Sequence, residues 1–238
     1  MCVPHAGRVV DDPCDVDLAA AGVLFGDPAR AAMLVALSDG RALPAGELAR
    51  RASVSPATAT AHLRRFVDGG LVRVTVQGRH RYHHLAGPQV SAVLESLAHV
   101  APASPVRSLR QHRDVTALAE ARTCYDHLAG RRGVELRDRL LAAGALQTSD
   151  DREHSLTAHG ETLIAELDID LDQLRSGRRI FARSCLDWTQ RRPHLAGALP
   201  AAVTSTFFAR GWLERSTGRG LRVTADYEQK LDRWLGAA

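Results

Sequence analysis

Residues 44–85 read PAGELARRASVSPATATAHLRRFVDGGLVRVTVQGRHRYHHL, and the punctuation of this stretch decides the fold of the first half of the chain. Ser55 stands before Pro56, a hydroxyl N-cap followed by the residue best suited to a first helical position. The helix that starts there is expected to run from Pro56 to Asp68 and to stop at Gly69-Gly70. Along it Ala59, Leu63, Phe66 and Val67 fall at i, i+4, i+7 and i+8, so all four are expected to pack inward. The opposite face centres on Thr58, Ala61 and Arg65, with His62 and Arg64 at its edges.

Upstream, Pro44 to Ala52 reads as a short helix with the proline in its first turn, and Ser53-Val54 as the turn that follows. Before that, Asp27-Pro28 caps a helix carrying Met33, Leu34 and Leu37 on one face and ending at Asp39-Gly40. A short apolar helix is expected from Val16 to Phe25. Downstream, Leu71 to Val76 alternates as a strand, Gln77-Gly78 turns, and Arg79 to Leu85 returns. Helix, turn, capped helix and a hairpin with an arginine at its tip is the winged helix-turn-helix order.

Charge is distributed to match. The net charge is only +4, yet between Arg50 and Leu85 seven arginines (50, 51, 64, 65, 73, 79 and 81) face one acid, Asp68. The first 49 residues lean the other way, with Asp11, Asp12, Asp15, Asp17, Asp27, Asp39 and Glu47. A basic segment inside a near-neutral chain is the footprint of a phosphate-binding surface, although a solvated charged face has the same composition. An apolar share of 45% and a charged share of 24% are ordinary for a packed globular protein. No apolar run approaches the ~20 residues of a membrane span. Met1 to Val10 lacks the apolar stretch of a secretory signal, so a cytoplasmic protein without a membrane partner is expected.

The reading for the whole chain is a mainly α fold with small β-hairpins. Residues 1–14 read as a flexible tail, 15–100 as the winged domain, 101–108 (APASPVRS) as a linker, and 109–238 as a C-terminal domain. Past Gly87-Pro88, a helix with Val90, Val93, Leu94 and Leu97 on one face closes the winged domain. The C-terminal domain contains an internal repeat, about 122–168 and 183–236. Counted from Gly130 and Gly197, the pairs Leu140-Leu141 and Phe207-Phe208, then Gly144 and Gly211, then Leu146 and Leu213 share their offsets. Each copy reads as a helix closed by glycine, a strand-turn-strand and a further helix, giving two winged-helix-like units in which no basic DNA-reading helix is expected.

Asp27-Pro28-x-Arg30, MLVALSDG and the stretch ELARRASVSPATATAHLRRFVDGGLVRVTVQGRHRYHHL together resemble the ArsR family of bacterial winged-helix repressors over about residues 16–100. The resemblance implies a homodimer built through the first helix and the helix of Pro88 to Val100, repressing its target until an inducer binds. The C-terminal half resembles an extension of longer members of that family in actinobacteria. Many metal-sensing members carry Cys-x-Cys on the helix before the recognition helix, where LPAGELARRA here has no cysteine. Others place Asp and His ligands on the dimerisation helix, where this chain offers only Glu95 and His99. Neither metal site carries over.

The expected partners are therefore double-stranded operator DNA, a second copy of the chain, and an effector not identified by the sequence. Ser55, Thr58, His62, Arg64 and Arg65 on the recognition helix, with Arg79 and Arg81 on the wing, are the candidate DNA contacts. The start of the helix, Ser55 and the wing arginines suit phosphates, while Thr58, His62 and Arg65 suit base edges.

Cys124, His127, Cys185 and His194 form a second constellation, related by the repeat. Cys124 and His127 sit three apart, as one helical turn would place two ligands. Two Cys and two His make a tetrahedral set for Zn or another thiophilic ion. Asp126 and Asp187, two residues after each cysteine, are placed to orient a histidine. Buried packing is the first alternative and a thiol redox or electrophile sensor the third. Cys2, His5 and Cys14 make a weaker cluster that reads as part of the tail. The aromatics are concentrated in the C-terminal half, with Phe207 and Phe208 expected in the core and Trp188, beside Cys185, set apart. Nothing resembles a nucleophile elbow, a phosphate loop or a metal-hydrolase helix, so an enzyme is not expected.

Overall fold

The computed structural model describes residues 16–102, 108–149, 152–216 and 218–236. The tail over 1–14, with Cys2, His5 and Cys14, and most of the linker lie outside the described residues. In the first half, α1 (Leu18–Phe25), α2 (Pro28–Leu37), β1 (Leu43–Pro44), α3 (Ala45–Arg51) and α4 (Pro56–Asp68) precede the hairpin β2 (Val72–Gln77) and β3 (His80–Leu85), and α5 (Pro88–Val100) follows.

Local chemistry starts and stops these helices as read. Asp27 accepts the backbone N–H of Arg30 at 2.8 Å and Ser55 that of Thr58 at 3.1 Å, each before a proline at the first helical position. Buried Arg30 then donates to the carbonyls of Val23 and Leu24, satisfying acceptors that the end of α1 leaves free. Met33, Leu34, Leu37, Leu48, Ala59, Leu63 and Phe66 meet Val72 and Leu85 in one apolar core. Val67 does not join them: it is 41% exposed, because Phe66 already fills the core side of that last turn. One further strand was not legible. Leu43 pairs with His83 and Pro44 with Tyr82, so β1 adds an edge to make the antiparallel order β1-β3-β2. A proline is tolerated there because an edge strand need not donate on its outer side.

The second half contains α6 (Leu109–Glu120), then β4 (Arg122–Cys124), β5 (His127–Ala129), α7 (Arg131–Ala142), β6 (Leu146–Thr148), β7 (His154–Leu156) and α8 (Ala158–Ala165). After α9 (Leu171–Ser176) come β8 (Arg183–Leu186), β9 (Pro193–Ala196), α10 (Ala198–Ala209), β10 (Leu213–Arg215), β11 (Leu221–Val223) and α11 (Tyr227–Trp234). Each copy has a helix followed by a glycine, α7 by Gly144 and α10 by Gly211 at φ of +67° and +64°, whereas the helical turn expected for Cys124 and His127 is corrected: residues 122–129 and 183–196 are antiparallel hairpins. Gly130 and Gly197 stand at the starts of α7 and α10, with φ of +78° and +131°. At Gly197 a side chain would also meet the carbonyl oxygens of Ile180 and Phe181 at 2.7 Å, so glycine is required twice over.

A second apolar core joins both parts of this half. Phe207 is fully buried, stacks on Trp212 at 4.6 Å and meets Trp234 edge-on at 5.8 Å. These aromatics fill the interior rather than line a cavity, while Phe208 is only partly buried, beneath Arg215.

The two halves meet through charge. Arg122 is fully buried and ion-pairs with Glu95 of α5 and with Asp187, each at 3.0 Å, under the ring of Trp188. Glu95 also receives Arg219 at 2.8 Å, and Arg219 reaches Ser38 at the end of α2. The N–H of Tyr125 donates to the Ser38 carbonyl at 2.8 Å, and Arg41 to that of Gly218. Gly40, at φ +74°, has the Tyr125 carbonyl where a side chain would stand, so the β4–β5 turn sits directly on the first domain.

Phe207→Ala should cost about 3–5 kcal/mol in urea unfolding, whereas Val67→Ala should stay within about 0.5 kcal/mol. Burial would raise the Glu95 carboxyl, but Arg219 and Arg122 hold it below the ordinary glutamate range. A carboxylate depressed on folding contributes stability above its unfolded pKa and loses it as pH falls through the folded one. Glu95→Gln should thus cost about 3 kcal/mol near neutral pH, because Arg219 loses its carboxylate and buried Arg122 keeps only Asp187. The gap to wild type should close on acidification below the ordinary glutamate range, as followed by unfolding midpoints across pH.

Candidate functional site

The recognition helix α4 buries Ala59, Leu63 and Phe66 and turns its other face outward. Thr58, Ala61, Arg64 and Arg65 are exposed there. Ser55 is tied to Thr58 twice, by the backbone cap and by a 2.8 Å contact between hydroxyls, which stiffens the first turn. Arg64 stands 3.9 Å from Asp68, one turn on, with both side chains largely in solvent. Pairs of that kind contribute little and release easily.

His62 differs from its expected place. Its side chain is only 13% exposed, with Nε2 3.8 Å from the carboxylate of Asp27 and Nδ1 buried without a partner. The ring faces the cap of α2 and is badly placed for a base edge, because the helix turns it toward the α1–α2 corner.

The wing is a two-residue hairpin, with Gln77 opposite His80 and Gly78 at φ +59°. Positive φ at the first of two loop residues is what a tight hairpin turn of this handedness needs. Arg79 lies in the turn and Arg81 follows on β3, both exposed. Among the described residues, Arg65, Arg73, Arg79 and Arg81 form no ion pair. Exposed Arg50 and Arg73 belong to the same cationic segment, although the candidate contacts had not included them. The α7 arginines stand in contrast: Arg131 and Arg132 pair with Glu120, Arg137 with Asp138, and Arg139 with Glu228 and Asp232. Their charge is spent within the protein, whereas that around α4 and the wing faces outward.

The β4–β5 and β8–β9 hairpins bring the four Cys/His residues together. Cys124 is directly opposite His127, and Cys185 directly opposite His194, so cross-strand pairing replaces the expected helical turn. One donor atom from each lies within 4.8 Å of all the others. Cys124, His127 and His194 are buried and Cys185 is half-buried. The imidazole rings stack with centroids 5.3 Å apart. His127 Nε2 and both ring nitrogens of His194 have no hydrogen-bond partner.

Each ring has a carboxylate on its Nδ1 side: Asp126 at 3.4 Å from His127 and Asp187 at 3.6 Å from His194. Asp126 is gripped by both Arg179 guanidinium nitrogens at 2.6 and 2.7 Å. Burial pushes its carboxyl up, but Arg179 and His127 bring it down to about 2. Asp187 accepts from the backbone of Gly130, Thr189 and Gln190; burial pushes its carboxyl up, but Arg122, the Thr189 hydroxyl and the Gly130 N–H hold it well below the usual range. Burial would lower the His127 pKa, but the neighbouring Cys124 and Asp126 raise it to about 9. The Cys124 thiol is pushed up by its contact with Cys185 and by burial, while Cys185 is pulled down by the same contact. Of the two ligand candidates on α5, Glu95 is taken by Arg122 and Arg219, and His99 lies against the Leu186 carbonyl.

The Helix-turn-helix domain family matches residues 25–75. The cadmium metal-sensor CMTR from Mycobacterium tuberculosis is 31% identical, with 39% of this chain and 99% of that one covered at a TM-score of 0.31. HlyU from Vibrio cholerae is 24% identical, with 35% and 89% covered at a TM-score of 0.32. The uncharacterized HTH-type transcriptional regulator YdfF of Bacillus subtilis (strain 168) is 41% identical over 202 residues, 84% of this chain and 89% of its own length. An alignment that long cannot be confined to the first domain. The chain belongs to this family of HTH-type transcriptional regulators, with a DNA-binding helix-turn-helix domain at its N-terminal end.

Proposed function

We propose that the chain is a sequence-specific regulator of ArsR type, acting as a homodimeric repressor that an effector releases from its operator. The observation that carries this is the pairing of a capped, rigid α4 with a wing whose arginines have no acidic partner among the described residues. Arg79 and Arg81 suit phosphates, as do Ser55 and the backbone at the start of α4; Arg64 extends that surface once Asp68 is displaced. Thr58 and Arg65 take the base edges. His62 serves to hold the helix against Asp27.

The dimer reading rests on exposed apolar residues of two helices. The buried face of α5 carries Ser91 and Glu95, while Val93, Leu97 and Val100 are 43%, 41% and 80% exposed. All eight residues of α1 lie outside the buried class, with Leu18 at 77% exposure and Val23 at 62%. Apolar helix faces of this kind fit a covering partner, and a second copy matches the two-fold operators such domains read.

In this reading residues 15–100 bind DNA and dimerise, and residues 109–238 form a duplicated, winged-helix-like input domain. The duplication is supported by α7 and α10, β6 and β10, and β7 and β11, whose bounds all differ by 67 residues. The input reaches the first domain through the Arg122–Glu95 contact on α5, the same helix that carries the exposed apolar face.

In fluorescence anisotropy titrations, Arg79→Ala with Arg81→Ala should weaken binding to operator and random DNA alike and lower the log–log salt slope by about 1.8. An unchanged slope would remove both residues from the phosphate contacts. Val93→Glu with Leu97→Glu should yield a monomer in sedimentation velocity and lose the short, roughly palindromic footprint of wild type. A dimer that keeps the footprint would place the interface elsewhere.

A further inference from the structure

The geometry points to a four-ligand site for one thiophilic divalent ion of the zinc class, made by Cys124, His127, Cys185 and His194 between the two hairpins. It rests on the C-terminal hairpins alone and stands whether or not the chain binds DNA. Two thiols and two imidazoles are the donor set that zinc-class ions prefer. Neighbouring donors around a tetrahedral zinc lie roughly 3.3–3.8 Å apart, given S and N bonds of about 2.3 and 2.0 Å. All four donors already fall within 4.8 Å of each other, so a small inward movement of side chains closes the set.

Two orphaned nitrogens, Nε2 of His127 and Nε2 of His194, are explained together by an ion, and the third, Nδ1 of His194, faces Asp187. His127 is 3% exposed and His194 fully buried, yet three of their ring nitrogens lack a partner. Packing alone would leave those polar atoms unsatisfied, at a cost that buried groups rarely bear. A disulfide between Cys124 and Cys185 would use the sulfurs and leave the nitrogens as they are. An ion engages all four donors.

The surroundings select the donor atoms. Asp126 and Asp187 lie beside the Nδ1 atoms of His127 and His194, which leaves Nε2 of each ring for the ion. A carboxylate on the far nitrogen is the usual orienting partner of a ligating histidine. On binding, each thiol releases its proton to solvent, as does His127 where it is protonated, and two thiolates with two neutral imidazoles offset the dication in a neutral centre. Neutrality matters here because the neighbouring Arg122, Arg219, Glu95 and Asp187 already balance one another. With four protein donors, three of them buried, no position is left for substrate, and the site is structural. It clamps β4–β5 to β8–β9, the hairpins that supply Asp187 and its partner Arg122, which reaches Glu95 on α5.

The test uses the full-length chain purified anaerobically. Elemental mass spectrometry should find about one zinc-class ion per chain, and its removal by a chelator should lower the melting temperature. Cobalt added to the stripped wild-type chain should give a thiolate-to-metal charge-transfer band and restore that temperature. Cys124→Ser and His194→Ala should each lose the ion. Because the cobalt spectrum is read on wild type, a variant that fails to fold leaves the test intact. A wild-type chain with no ion and no cobalt band overturns the proposal, as does a Cys124–Cys185 disulfide in the anaerobic protein. An ion retained undiminished in folded Cys124→Ser overturns it too.

Discussion

The arrangement of the two halves depends on one buried cation. Arg122 has no exposed surface, and a guanidinium in that position is tolerable only with its charge answered at hydrogen-bond distance. Glu95 answers it from the first domain and Asp187 from the β8–β9 hairpin of the second, so three distant parts of the chain must meet correctly for any one to be buried. Such a contact adds little net stability over an apolar replacement, but removing one member is costly. That asymmetry makes it a determinant of relative placement. It leaves α5 with Ser91 and Glu95 buried beside the partly buried Val90 and Leu94, while Val93, Leu97 and Val100 stay exposed.

Electrostatics divides the molecule more sharply than its net charge of +4 implies. Arginine supplies nearly all of the positive charge in both halves, since Lys230 is the sole lysine. In the C-terminal half those arginines are largely consumed: α7 is laced to Glu120, Glu228 and Asp232, and Arg179 is taken by Asp126. Around α4 and the wing they are left facing solvent. A polyanion meets little competition for the second group and must break ion pairs to use the first.

The recognition helix was legible because its signals are local. A serine cap, a proline, a seven-residue apolar spacing and a double glycine lie within 16 consecutive residues and act through the backbone they belong to. Val67 and β1 escaped for the complementary reason. Which of two adjacent apolar residues faces the core depends on what else fills that space, and a two-residue edge strand exists only because β3 lies beside it. In the C-terminal half the repeated glycines were visible, Gly144 and Gly211 following the ends of α7 and α10, but the hairpins that precede Gly130 and Gly197 were not. The three-residue spacing of Cys124 and His127 fits a helical turn as well as a two-residue hairpin, and the sequence carries no sign to separate them.

By itself the sequence determined most of the first domain: the order of its helices and hairpin, the caps that bound α2 and α4, and the basic segment that α4 and the wing display. These follow from interactions between residues a few positions apart, which survive any arrangement of the rest. Only the tertiary structure decided that His62 turns inward to Asp27, that Glu95 belongs to Arg122 and Arg219, and that Cys124 and His127 meet Cys185 and His194. Some 60 residues separate the two hairpins, and no local periodicity records a contact across that distance. It arises when both hairpins bury their faces on each other, a constraint that belongs to the packed chain.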